Sequence, residues 1–231
     1  MLSIITINFN NETGLIKTIS SLESLKEKDF QWVFIDAASI DNSHAIAKNF
    51  AKDGDIIVSE PDLGIYNGMN KGIRLASGDK ILFLNSGDTL GQTITSFHEV
   101  NIDPTADLCL YGFAIRNQIR MPRRNWWRFW SMPTSHQAII YSRRLLEKFS
   151  FDESYRYSAD FEHYLRINKR KLLIILNHLT LIVNEPYGSD QNLKAVLAEY
   201  KRALIENGYP KAWAYFVYWL KSYYLKFVLH E

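Results

Sequence analysis

Leu2-Ser3-Ile4-Ile5-Thr6-Ile7-Asn8-Phe9-Asn10 opens the chain with an isoleucine-rich apolar run that stops on Asn-Phe-Asn. A short continuous run of this kind reads as a buried strand, and the polar stop marks where the chain leaves the sheet. Asn11 or Thr13 is placed to cap a helix through Ser24, with Leu15, Ile16, Ile19 and Leu22 on one face. The unit then recurs. Trp32–Asp36, Asp55–Ser59 and Lys80–Leu84 read as strands, Asp41–Asp53 as a helix, and Ile65–Ala76 as a helix with Ile65, Met69, Ile73 and Ala76 at helical spacing. Such alternation implies right-handed crossovers and a mainly parallel sheet flanked by helices. Ligands of these sheets bind outside the carboxyl ends of the strands. The residues to watch are therefore Asn8-Phe9-Asn10, Asp36, Glu60-Pro61-Asp62 and Asn85-Ser86-Gly87-Asp88.

The second half is less regular. Ala106–Ile115 and Gln137–Ser142 read as strands, Ala159–Lys169 and Asp190–Asn207 as helices. Gly208-Tyr209-Pro210 breaks the chain before a last, aromatic helix, Pro210–Val228. Arg120–Trp130 sets four arginines among four aromatics. The expected organisation is one domain over residues 1–185 and a C-terminal helical appendage over 186–231, which contacts a membrane surface or another subunit.

With 231 residues, 47% of them hydrophobic, the chain can bury a sizeable core. A net charge of +2 supplies no overall attraction to nucleic acid. Cys109 is the only cysteine, which excludes a disulfide framework and a Cys-rich zinc site and fits a reducing cytoplasm. The first residues lack the basic segment of a signal peptide, and no apolar stretch approaches the roughly 20 residues of a membrane span.

Six segments carry a family resemblance: Ser3–Asn11 (SIITINFNN), Phe34–Ser43 (FIDAASIDNS), Ser59–Ile73 (SEPDLGIYNGMNKGI), Ala76–Asp88 (ASGDKILFLNSGD), Ser135–Glu147 (SHQAIIYSRRLLE) and Phe151–Arg166 (FDESYRYSADFEHYLR). In this order they resemble glycosyltransferase family 2, especially the small bacterial transferases of capsule, O-antigen and colanic-acid clusters. The resemblance runs from Leu2 to about Arg170. It implies a GT-A-type, Rossmann-like fold and inverting transfer of a hexose from a nucleoside-diphosphate sugar, with UDP favoured and GDP open. The implied acceptor is a saccharide on a polyprenyl diphosphate.

Site residues follow from the same resemblance. Asp36 corresponds to the base-binding aspartate and Phe9 to the aromatic against which the base packs; the alternatives are a turn cap through Ser39 and plain core. Asp62 lies in the segment near the nucleoside, or is only a turn residue before Gly64. The family's acidic metal cluster here reads Asn85-Ser86-Gly87-Asp88, leaving Asp88 as the carboxylate for Mg²⁺ or Mn²⁺, with water and phosphate oxygens as further ligands. Asn85 then faces the ribose or donor sugar; the alternative is a β-turn. Asp160 corresponds to the general base, with helix capping as the alternative and Glu162, then Asp152, as substitutes. His136 is expected to bind metal or diphosphate, or to orient the acceptor. Arg74 is expected to contact the diphosphate, or lies on a solvated helix face.

Two other functions stay open: a sugar nucleotidylyltransferase, although Asn8–Gly14 lacks its Gly-rich basic loop, and a degenerate scaffold, which the thinned metal motif allows. A lipid-borne acceptor, together with Trp, Tyr and Arg suited to a headgroup region, places the chain in the cytoplasm, peripheral at the inner face of the plasma membrane. A homo-oligomer contact is a second use of the aromatic tail, and cover of the domain's own core is a third.

Overall fold

A computed structural model describes residues 1–124, 128–186 and 192–228. Trp126 and Trp127 of the basic loop, and the start of the helix expected from Asp190, lie outside the described residues. Strands β1 (Leu2–Asn8), β2 (Phe30–Asp36), β3 (Ile56–Ser59) and β4 (Lys80–Phe83) alternate with helices α1 (Glu12–Glu23), α2 (Ser43–Phe50) and α3 (Ile65–Leu75). The strands pair in parallel in the order β3-β2-β1-β4. Every residue of β1 and β2 is buried, because helices cover both faces. Ile5, Ile7, Val33 and Ile35 pack with Tyr66, Met69 and Ile73 of α3. The alternate residues Leu2, Ile4, Trp32 and Phe34 pack with Leu15, Ile19 and Leu22 of α1. Asn11 caps α1 as the sequence predicts, its side chain accepting from the Gly14 amide at 3.0 Å.

Beyond β4 the sheet changes character. β8 (Ile139–Ser142) runs antiparallel between β4 and β6 (Leu108–Ile115), and β9 (Ile174–Val183) lies parallel to β6. β5 (Thr89–Leu90) completes the order β8-β6-β9-β5, and β7 (Gln118–Arg120) forms a hairpin with β6. With α4 (Arg143–Lys148), α5 (Ala159–Ile167), α6 (Leu193–Glu206) and α7 (Lys211–Val228), this is the α/β, GT-A-type architecture. The strand read from Gln137 begins at Ile139, because residues His136–Ala138 make a single 3₁₀ turn. β9 has no clean period in the sequence: its residues are mostly half-buried, and Asn177, His178 and Thr180 interrupt the apolar run.

The two C-terminal helices share the core. Ala203, Leu204, Ala214 and Val217 are buried in the same cluster as Ile5 and Val33 of the central strands. The Trp213 indole donates to the Phe129 carbonyl at 3.0 Å, so α7 also holds the basic loop. The other side of α7 exposes Tyr215, Phe216, Trp219, Tyr223 and Tyr224. Among the described residues no helix is long and apolar enough to cross a membrane.

Candidate active site

A cavity of about 1200 Å³ opens at the carboxyl ends of β1 and β4. Six residues given a role from the sequence line it: Phe9, Asp62, Asn85, Asp88, His136 and Asp160. Direction explains how distant segments meet there. β8 runs against β4, so its first end delivers Ser135–Gln137 to the place where β4 delivers Asn85–Asp88. β9 ends in Asn184 and Glu185 at the same rim.

Asp88 is the best-anchored group. One carboxylate oxygen accepts from the Glu185 amide at 2.8 Å and the Asn184 side chain at 3.1 Å; the other accepts from Gln137 at 3.1 Å. Burial pushes its carboxyl above the ordinary range, outweighing those donors and the nearby His136. Gly87 shapes this corner. Its φ of +106° suits glycine, and a Cβ there would collide with the Glu185 carboxylate. Glu185 in turn pairs with Lys17 at 3.1 Å.

Asp160 enters from the first turn of α5. Tyr66 of α3 donates its hydroxyl to one oxygen at 3.0 Å, and His136 Nδ1 lies 3.4 Å from the other. Burial raises this carboxyl, but His136 and Tyr66 more than offset it and hold it below the usual range, so Asp160 is a carboxylate at neutral pH. With the Phe161 amide, three of its roughly four acceptor sites are used, and one is left for a ligand hydroxyl.

Asp36 and Arg74 lie outside the cavity lining. Asp36 is fully buried, and Asn8, Ser39 and Ser59 occupy its oxygens. Burial raises its carboxyl, yet these hydrogen bonds hold it below the ordinary range. Asn8 thereby has its amide nitrogen fixed toward Asp36 and Ser39, while its Oδ1 is buried without a partner. Arg74 is exposed on α3. Glu162 pairs with Arg166 at 2.9 Å, and the carboxylate of Asp152 accepts from the Ser154 amide at 2.9 Å; neither lines the cavity.

Among the described residues eight buried side-chain polar atoms lack a partner, and four belong to this cavity: Asn8 Oδ1, Asn85 Oδ1, Ser86 Oγ and His136 Nε2. Each such atom costs about 1–3 kcal/mol, so their convergence marks a place where a polar ligand completes the structure. Sequence reasoning missed Asn184, Glu185, Gln137, Tyr66 and Tyr200. Asn184-Glu185 follow an apolar run at a strand end, the same signal that marked Asn8 and Asn85, and recognising β9 would have found them. Tyr66 sits in an apolar helical stripe and carried no separate signal.

Residues 3–92 match the sequence profile of glycosyl transferase family 2. A PGL/p-HBAD biosynthesis glycosyltransferase of Mycobacterium bovis is 29% identical over 188 residues, covering 75% of this chain and 72% of the relative. Among solved structures, S. aureus TarS 1–349 in complex with UDP-GlcNAc superposes with a TM-score of 0.69 at 15% identity, covering 98% of this chain and 73% of that one. The mannosyltransferase PcManGT of Pyrobaculum calidifontis, in complex with GDP-Man and Mn²⁺, gives 0.68 at 14% identity, covering 98% and 70%. At these identities the structural likeness is one of fold.

Proposed function

We propose that this chain, a member of glycosyltransferase family 2, transfers a hexose with inversion from a nucleoside-diphosphate sugar to a saccharide acceptor. The observation that carries the reading is the convergence of four unpartnered polar atoms with two held carboxylates on one cavity. The neighbours of similar fold carry UDP-GlcNAc and GDP-Man, and UDP is the favoured nucleotide here. The base packs on Phe9, which is 65% exposed at the cavity lip, with Asp62 beside the nucleoside. Asp36 acts on the base through Asn8, whose oriented Oδ1 is a ready acceptor for a ring N–H. Asn85 faces the ribose or donor sugar.

A divalent cation, Mg²⁺ or Mn²⁺, suits the residues present. Asp88 offers a fixed carboxylate, and His136 offers Nε2 while its Nδ1 faces the Asp160 carboxylate, the arrangement in which a carboxylate orients an imidazole toward a metal. Among the described residues no three acidic, His or Cys side chains could hold an ion alone, so phosphate and water oxygens would complete its shell. When bound it would neutralise charge on the departing diphosphate. Asp160 accepts the proton of the acceptor hydroxyl as the new bond forms.

Residues 1–185 are assigned the donor and base chemistry, and residues 186–231 the cover of the core and an outward contact. For that contact a membrane surface is favoured, because α7 exposes five aromatics and its sequence, Lys211–Val228, holds no acidic residue. This suits an acceptor on a polyprenyl diphosphate at the inner face of the plasma membrane. Flotation with anionic vesicles tests it: Trp219→Ser with Tyr223→Ser should lower recovery with vesicles, and unchanged recovery would leave a subunit contact instead.

The main test is a thermal-shift panel of UDP, GDP, CMP and dTDP, each with and without Mn²⁺. Stabilisation of about 2.7 kcal/mol is expected at a hundredfold excess over Kd, and Asp88→Ala should erase the Mn²⁺-dependent part. A panel in which no nucleotide stabilises the protein would overturn the reading.

A further inference from the structure

The base loop is held from the C-terminal segment. Residues 154–158 lead into α5 and to Asp160, and three residues of α6 on one helical face grip them. The Glu199 carboxylate accepts from three consecutive backbone amides, those of Arg156 at 2.9 Å, Tyr157 at 2.8 Å and Ser158 at 2.9 Å. Arg202 donates to the Ser154 carbonyl at 3.2 Å and to its hydroxyl at 2.9 Å. Glu206 accepts from the Tyr155 hydroxyl. Successive amides pointing to one place form a concave anion site, and here the anion is a side chain of the chain itself. Ser158, the cap residue of α5, makes no side-chain cap hydrogen bond; its hydroxyl turns to the Val196 carbonyl on α6. The start of α5 is therefore set largely from α6.

We propose that Glu199 is a positioning residue for the base: its carboxylate fixes the backbone of residues 156–158 and thereby the place of Asp160 against the acceptor hydroxyl. Arg156 and Tyr157 line the cavity beside Asp160, so the same three hydrogen bonds also set that part of the wall. Glu199 itself is not a lining residue and touches no reacting atom. A displacement of about 1 Å in a catalytic group can cost on the order of a hundredfold in rate, and a loop held at three amides by one carboxylate is exposed to such a loss. The inference rests on the glycosyltransferase reading and on Asp160 as base.

The test uses the full chain with Mn²⁺, hydrogen exchange at amides 156–160, calorimetric binding of UDP, and release of UDP from whichever UDP-hexose the wild type turns over fastest, with water as acceptor. Glu199→Ala should speed exchange at these amides and lower turnover roughly tenfold to a hundredfold, with the Kd for UDP within about twofold of wild type. Glu199→Gln, which retains one acceptor oxygen, should lie between and serves if the alanine variant does not fold. In the Asp160→Asn background the Glu199 substitution should cost nothing further, because the group it positions is already disabled. Unchanged exchange, or losses that add in the double variant, would overturn the proposal, since a purely structural role adds. An Asp160→Asn variant with full turnover would remove the base assignment, and the exchange data keep that failure separate from failure of the clamp.

Discussion

The two walls of the cavity are built in different ways. The wall proposed to bind the donor, with Phe9, Asp62, Asn85 and Asp88, comes from strand ends of one parallel block within the first 90 residues. The facing wall, with Ser135–Gln137, Asp160, Asn184–Glu185 and Tyr200, comes from an antiparallel strand, a distant strand end and two helices. Its contacts to the donor wall are long in sequence: Asp88 meets Glu185 across 97 positions and Tyr66 meets Asp160 across 94. A wall of strand ends can be located by a topological rule. A wall assembled by insertion cannot, because nothing local announces which segment returns to the site.

If the walls divide the labour, substitutions on each should separate binding from turnover. The largest effect is expected at Asp160. Asp160→Asn should lower kcat by roughly 10²–10⁴-fold with donor affinity kept, measured by UDP release and by calorimetry. Loss of UDP binding in this variant would mean that the walls are not separable. Next comes Trp213→Ala, which removes the tie between α7 and Phe129. Roughly 1–3 kcal/mol of stability should go with the half-buried ring, read as a lower urea midpoint. Because the loop it holds leads to Ser131–Pro133 of the facing wall, the KM for acceptor should rise more than that for donor.

Phe9→Ala tests the donor wall itself. Loss of one base-stacking ring should weaken UDP binding roughly tenfold, with kcat at saturating donor little changed. A fall in kcat alone would assign Phe9 to the facing wall. The smallest effect concerns Lys221, where α7 meets the basic loop. Burial, with the Arg123 charge adding to it, lowers its amine from 10.5 to about 8, while the rings of Trp130 and Tyr200 lie over the ammonium at 5.5 and 4.7 Å. The folded amine releases its proton before the unfolded one, so the unfolded chain binds more protons between pH 8 and 10.5 and stability should rise with pH there. The melting-temperature difference between wild type and Lys221→Met should change over that window and be flat below it; a difference independent of pH would show that Lys221 is solvated.

Legibility followed the same division. The run from Leu2 to Asn8 and its repeats announce the parallel block, because strands covered on both faces must be continuously apolar and each must stop on a polar residue. Asp36 illustrates where that reading ends. Its place at a strand end and the local cap from Ser39 are written in the sequence, but whether the carboxylate also faces a ligand depends on Asn8 and Ser59, brought to it by pairing of β1, β2 and β3. β9 escaped notice because a half-covered strand carries Asn177, His178 and Thr180, and with it went Asn184 and Glu185. Core, membrane and subunit contact all stayed open for α7, because aromatics lie nearly all round that helix and no single stripe pointed to the sheet.

The sequence by itself determined the alternation, the parallel setting of the first four strands and six of the groups that reach the cavity. These depend on periodicity and on polar residues placed locally at strand ends. The tertiary structure decided how those groups are oriented: that Asp88 leans on β9, that Asp160 stands between Tyr66 and His136, and that Glu199 of α6 holds the loop before α5. The physical reason is that a buried carboxylate takes its properties from the donors around it. Those donors come from segments whose approach is set by chain direction and core packing rather than by neighbours in sequence.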